Sequence, residues 1–95
     1  VTVLMACMTG AVVRAESPED AAVREARAVM DAFMTAFNAS DPAALAETLV
    51  YPHVRFASQT VTVFPDRAAF IAASDMAAFA RATGWAYSRW DDIQV

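Results

Sequence analysis

The chain has no lysine, one cysteine (Cys7), one histidine (His53) and two glycines (Gly10 and Gly84), and each shortage removes a class of function. Seven arginines face eleven acidic residues, giving a formal net charge of −4. No basic patch is available for a phosphate backbone, so nucleic acid is not an expected partner. One histidine and one cysteine do not make a zinc site, and no metal or cofactor is expected. Two glycines build neither a phosphate-cradling loop nor a dinucleotide fingerprint, and no Gly-x-Ser-x-Gly elbow is present for a serine nucleophile. A lone cysteine allows no internal disulfide. No run of 18 or more apolar residues occurs, so no membrane span is expected.

What is present is apolar bulk. Of 95 residues, 58% are hydrophobic and 19% charged, too apolar for a disordered segment and short enough for one domain with one core.

The first residues differ from the rest. An apolar stretch from Val1 to Val13 gives way to Arg14-Ala15 and then to the charged Glu16-Ser17-Pro18-Glu19-Asp20. That is the shape of a signal-peptide core with Val13 and Ala15 at the recognition positions, so residues 1–15 read as a partial signal peptide and 16–95 as an exported domain, periplasmic or secreted. Two other readings stand beside it: a buried first element of the domain, and a lipid anchor through Cys7, since Leu4-Met5-Ala6-Cys7 resembles a bacterial lipobox.

Helix starts are marked. Ser17-Pro18 puts a capping hydroxyl before a proline, with Asp20 three residues on, and Val23, Ala26, Met30, Phe33 and Phe37 recur at helical spacing. A first helix is predicted over 18–38. Asp41-Pro42 repeats the signal and opens a short second helix through Ala44, Leu45 and Leu49, which stops before Pro52. The period then changes: 51–57 and 60–64 are rich in β-branched and aromatic residues around a Ser58-Gln59 turn, which predicts a hairpin. Pro65-Asp66 caps a third helix carrying Phe70, Ile71, Met76 and Phe79 as far as Gly84, which suits a left-handed stop. Trp85 to Val95, with Trp85, Tyr87, Trp90, Ile93 and Val95, is predicted as an extended strand. Following no later partner, that strand leaves an open edge.

Residues 28–45, Tyr51-Pro52-His53-Val54-Arg55-Phe56 and Phe64-Pro65-Asp66-Arg67-Ala68-Ala69-Phe70, taken in that order, resemble the SnoaL-like branch of the nuclear transport factor 2-like superfamily. The resemblance covers about 18–95 and rests on the order of elements. It implies an α+β, cone-shaped fold with three helices packed on a curved antiparallel sheet. It also implies further strands after the one beginning near Trp85, so the domain is expected to be C-terminally incomplete. Steroid isomerases of that superfamily carry a proton-abstracting carboxylate on the strand after the second helix. Here no Asp or Glu occurs between Glu47 and Asp66, and Ala57 stands about where that group belongs.

Candidate site residues follow from the strand pattern. His53 shares one strand face with Arg55 and Ala57, opposite Val54 and Phe56, and its ordinary pKa suits a general base. The competing reading is a rim histidine bonded locally, because no second titratable group is visibly beside it. Arg55 offers a planar fork to a carboxylate, or else a surface ion pair. Phe33, Phe37, Trp85, Tyr87 and Trp90 are candidates to line an apolar pocket, with core packing or a dimer interface as the alternative for the strand aromatics. Asp91 and Asp92 point to opposite faces if extended and do not form an acid/base pair. Two functions remain open: an exported module that binds a small apolar ligand or forms a homodimer through its sheet, and a small-molecule enzyme (isomerase, cyclase or hydrolase) using His53 in the pocket.

Overall fold

The computed structural model describes residues 15–95; the leader reading of 1–15, the lipobox and Cys7 lie outside the described residues but for Ala15. The elements run α1 (Pro18–Asn38), α2 (Pro42–Ala46), β1 (His53–Ala57), β2 (Thr60–Phe64), α3 (Arg67–Ala73) and α4 (Met76–Thr83). The chain is α+β, with helices and one two-stranded antiparallel sheet.

Each helix begins on the side chain that its sequence supplies. Ser17 Oγ accepts from the Asp20 N–H at 3.1 Å, Asp41 Oδ1 from Ala44 N–H at 3.1 Å, and Asp66 Oδ1 from Ala69 N–H at 2.8 Å. Each bond satisfies an amide that the helix itself cannot. Helix α1 ends in a Schellman motif: Asp41 N–H donates to Ala36 O at 3.1 Å and Ser40 N–H to Phe37 O at 3.0 Å. The left-handed position there is Ser40, φ 51°, where glycine is usual. At α4, Gly84 does take that conformation, with φ 73° and its N–H on Ala80 O at 2.8 Å.

The third helical segment is present but broken. Ser74 has φ −99° and ψ 80°, its Oγ donates to Phe70 O at 2.7 Å, and Asp75 Oδ1 then caps α4 by accepting from Ala78 N–H at 2.9 Å. Two side chains that compete with the helical backbone stand at one point, and the helix stops and restarts there. The predicted strand at 85–95 is a correction of another kind. No strand forms in that stretch; it runs as irregular chain along α1. A strand needs a neighbour to accept its ladder, and both strands of the hairpin lie elsewhere.

The core sits where α1, α2 and α3 meet. Ala36, Leu45, Ala46, Phe70 and Met76 are buried, and Phe33, Phe37, Leu49, Tyr51, Phe64 and Ile71 pack around them. Only the last turns of α1, from Phe33 onward, take part; Val23 and Val29 earlier in the helix are exposed. The helix is tied at its start by Arg24, whose guanidinium grips both carboxylate oxygens of Glu16 at 2.9–3.1 Å, and this contact raises the Arg24 pKa. Both partners are solvated, so the pair adds little to stability. No helix among the described residues is long and apolar enough to cross a membrane.

Candidate functional site

The hairpin register decides which side chains meet the helices. His53 pairs with Phe64, Arg55 with Thr62 and Ala57 with Thr60, so these six share one face, while Val54, Phe56, Val61 and Val63 share the other. The first face turns inward at its base. The His53 ring stacks on Phe64 at 6.0 Å and meets Phe70 of α3 edge-on at 6.1 Å, and Phe64 meets Phe70 edge-on at 5.3 Å.

Two adjoining cavities, each of about 260 Å³, lie between this face and the helices. They share Phe37, Leu45, Arg55 and Phe70. The first adds Phe33, Leu49 and His53; its walls are otherwise apolar and carry no carboxylate. The second adds Phe64, Met76 and Phe79 with Ser74 and Asp75 at its edge. A larger concavity of about 750 Å³ runs between the other side of α1 and α2. It is an open groove lined largely by alanines, and its two carboxylates are engaged elsewhere: Asp41 caps α2 and Glu47 pairs with Arg67. The smaller cavities hold the chemistry.

The structure brings together part of the expected constellation. Phe33, Phe37, His53 and Arg55 line one cavity. Trp85 and Trp90 instead stand behind it: Trp85 meets Phe37 edge-on at 5.0 Å, and Trp90 lies 6.5 Å from Phe33. Tyr87 is 69% exposed and lines neither cavity, so it is not a pocket residue. Among the described residues the His53 imidazole has no hydrogen-bond or ion-pair partner, so no polar group orients it as a general base needs. Asp91 pairs with Arg89 at 3.0 Å and Asp92 is exposed, both outside the cavities. No group of three or more His, Cys, Asp or Glu side chains comes together among the described residues.

The irregular segment after Gly84 is held by a contact that sequence reading missed. Asn38 Nδ2 donates to Ser88 O and Ser88 N–H donates to Asn38 Oδ1, both at 2.8 Å, so one amide side chain acts as a strand partner for a single residue. Trp85 Nε1 donates to Ser88 Oγ at 2.9 Å and Trp90 Nε1 to Met30 O at 3.3 Å. This strap presses the two indoles onto the aromatic stripe of α1. Phe64 and Phe70 were missed as wall residues too, although a two-residue turn at Ser58-Gln59 already places Phe64 opposite His53.

In comparison with known proteins, no family model, no curated protein and no solved structure matches this chain. The functional reading therefore rests on the residues and their geometry.

Proposed function

We propose that this chain is an exported SnoaL-like domain of the nuclear transport factor 2-like superfamily, and that it binds a small apolar molecule between its hairpin and its helices. The order of helix, short helix, hairpin and third helical segment supports the family reading, in which the hairpin belongs to a cone-shaped, curved sheet. The apolar stretch before Ala15 supports export. One observation carries the binding reading: a cavity walled by Phe33, Phe37, Leu45, Leu49 and Phe70, into which only His53 and Arg55 bring polar atoms. Binding pockets combine such walls with a few convergent polar groups. Binding is preferred to the enzymatic alternative because His53 stacks between aromatic rings with no acidic neighbour in that cavity.

Titration with toluene, followed by amide and indole NMR, tests this. The expected result is saturable shifts centred on Phe37, Leu45, Phe70 and the Trp85 indole, which abuts Phe37. Shifts that never saturate, or that spread evenly over the surface, sink the pocket.

A second reading, a homodimer through the sheet, is favoured by the outer hairpin face, where Val54, Phe56, Val61 and Val63 are all exposed. Contiguous apolar patches of this kind mark association sites. Sedimentation across a concentration range checks it: Phe56→Lys with Val61→Lys is expected to shift a dimer to monomer. A parent chain that sediments as a monomer throughout ends this reading.

A further inference from the structure

The cavity has a charge that its walls do not answer. Arg55 shares the hairpin face of His53 and, though solvent-exposed, lines both cavities; no acidic residue lines the one it shares with His53. Three other arginines hold carboxylates, Arg24 on Glu16, Arg67 on Glu47 and Arg89 on Asp91, while Arg27 and Arg81, like Arg55, have no ion pair among the described residues; of these three, only Arg55 lines the cavities. Among the described residues, no hydrogen bond or ion pair engages the Arg55 side chain. Asp75, the one carboxylate at the edge of the second cavity, accepts from the Ala78 N–H as the cap of α4 and forms no ion pair with Arg55. A guanidinium is always charged and presents a flat fork that matches a carboxylate with two parallel hydrogen bonds.

We propose that the ligand is a small carboxylic acid with an apolar body, its carboxylate on Arg55 and its body against Phe33, Phe37, Leu45 and Phe70. This rests on the pocket reading above and narrows it from any apolar molecule to an anionic one. Size limits the body. A cavity of about 260 Å³ lies just below the usual range of ligand sites, which suits a body of a single ring or short chain. His53 stands two residues before Arg55 on the same face, and both side chains line the same cavity.

The test compares phenylacetate with phenylacetamide, a neutral molecule of nearly the same shape, each titrated into the whole chain and followed by NMR. Phenylacetate is expected to bind about 10- to 100-fold more tightly, the range set by hydrogen bonds to charged groups. That preference is expected to vanish in Arg55→Gln and to survive in part in Arg55→Lys, which keeps the charge and loses the fork. Equal affinity for acid and amide in the parent chain overturns the carboxylate inference and leaves the apolar pocket standing. Binding of neither compound removes pocket and inference together. Acid binding that maps to Arg27 or Arg81 also overturns the inference, because those side chains lie outside both cavities. Should Arg55→Gln lose its folded circular dichroism spectrum, the comparison of acid with amide in the parent chain decides alone.

Discussion

The helical corner and the hairpin are both rich in large apolar side chains, yet only the corner buries them. Where α1, α2 and α3 meet, Leu45 and Phe70 lie out of water; on the hairpin, Phe56 is 78% exposed and Val61 59%. The hairpin turns only the base of its mixed face inward, where His53 meets Phe64, and leaves Arg55 and Thr62 of that face exposed. The two regions thus divide the work. Burial in the corner holds the fold, whereas the hairpin presents polar groups to the cavities and apolar ones to whatever meets its outer face.

The largest expected effect tests that division directly. Phe70→Ala removes a buried ring that touches both His53 and Phe64, and core Phe→Ala changes cost about 3–5 kcal/mol. Small domains have only about 5–15 kcal/mol in total, so this variant is expected to lose most of its urea resistance. Phe56→Ala, an equal change in side-chain size at an exposed position, is expected to shift stability by no more than about 0.5 kcal/mol. Equal losses for the two would show that the outer hairpin face is buried in solution, and the comparison would then be evidence for the dimer.

Legibility in the sequence divides along a similar line. Caps and turns are local, so Ser17, Asp41, Asp66, Gly84 and the Ser58-Gln59 turn were readable within a few residues of where they act. Ser74-Asp75 is also local, but the apolar period runs through it from Phe70 to Phe79 and masks its capping signal. Ser40 carried no signal, since nothing in its neighbourhood marks a serine as left-handed. The stretch from Trp85 has strand-forming residues without a strand, because pairing is a property of two segments and propensity of one. Asn38 and Ser88 are fifty positions apart, beyond any spacing rule. For the site, alternation along β1 put His53 and Arg55 on one face, but which helices would close the cavity over them was a question of packing.

The strap offers the next effect in size. Asn38→Ala removes both bonds to Ser88, each worth about 0.5–1.5 kcal/mol. Because the segment after Gly84 contributes no fully buried residue, the loss is expected to be local. Hydrogen exchange should show the Ser88 amide losing protection while Ala46 and Phe70 keep theirs. Faster exchange throughout would mean that the two tryptophans are part of the core, and that the corner extends further along α1 than Ala36.

The smallest effect concerns the hairpin's own turn. Ser58 and Gln59 have φ of 51° and 64°, the left-handed pair that a two-residue turn of type I′ requires and that Asn-Gly adopts most readily. Left-handed backbone costs an ordinary residue about 1–2 kcal/mol, which glycine avoids, but the freer unfolded chain of glycine offsets about 0.5–1 kcal/mol of that gain. Changing Ser58→Asn with Gln59→Gly is therefore expected to add about 1 kcal/mol or slightly less, seen both in the urea midpoint and in slower exchange at Arg55 and Thr62. The register that places Arg55 at the cavities is set by this turn, since a slip of one residue would carry Arg55 to the outer face and Val54 or Phe56 inward. No gain in stability would mean that Ser58 and Gln59 are not held left-handed, and the placement of Arg55 on the His53 face would lose the local constraint that fixes it.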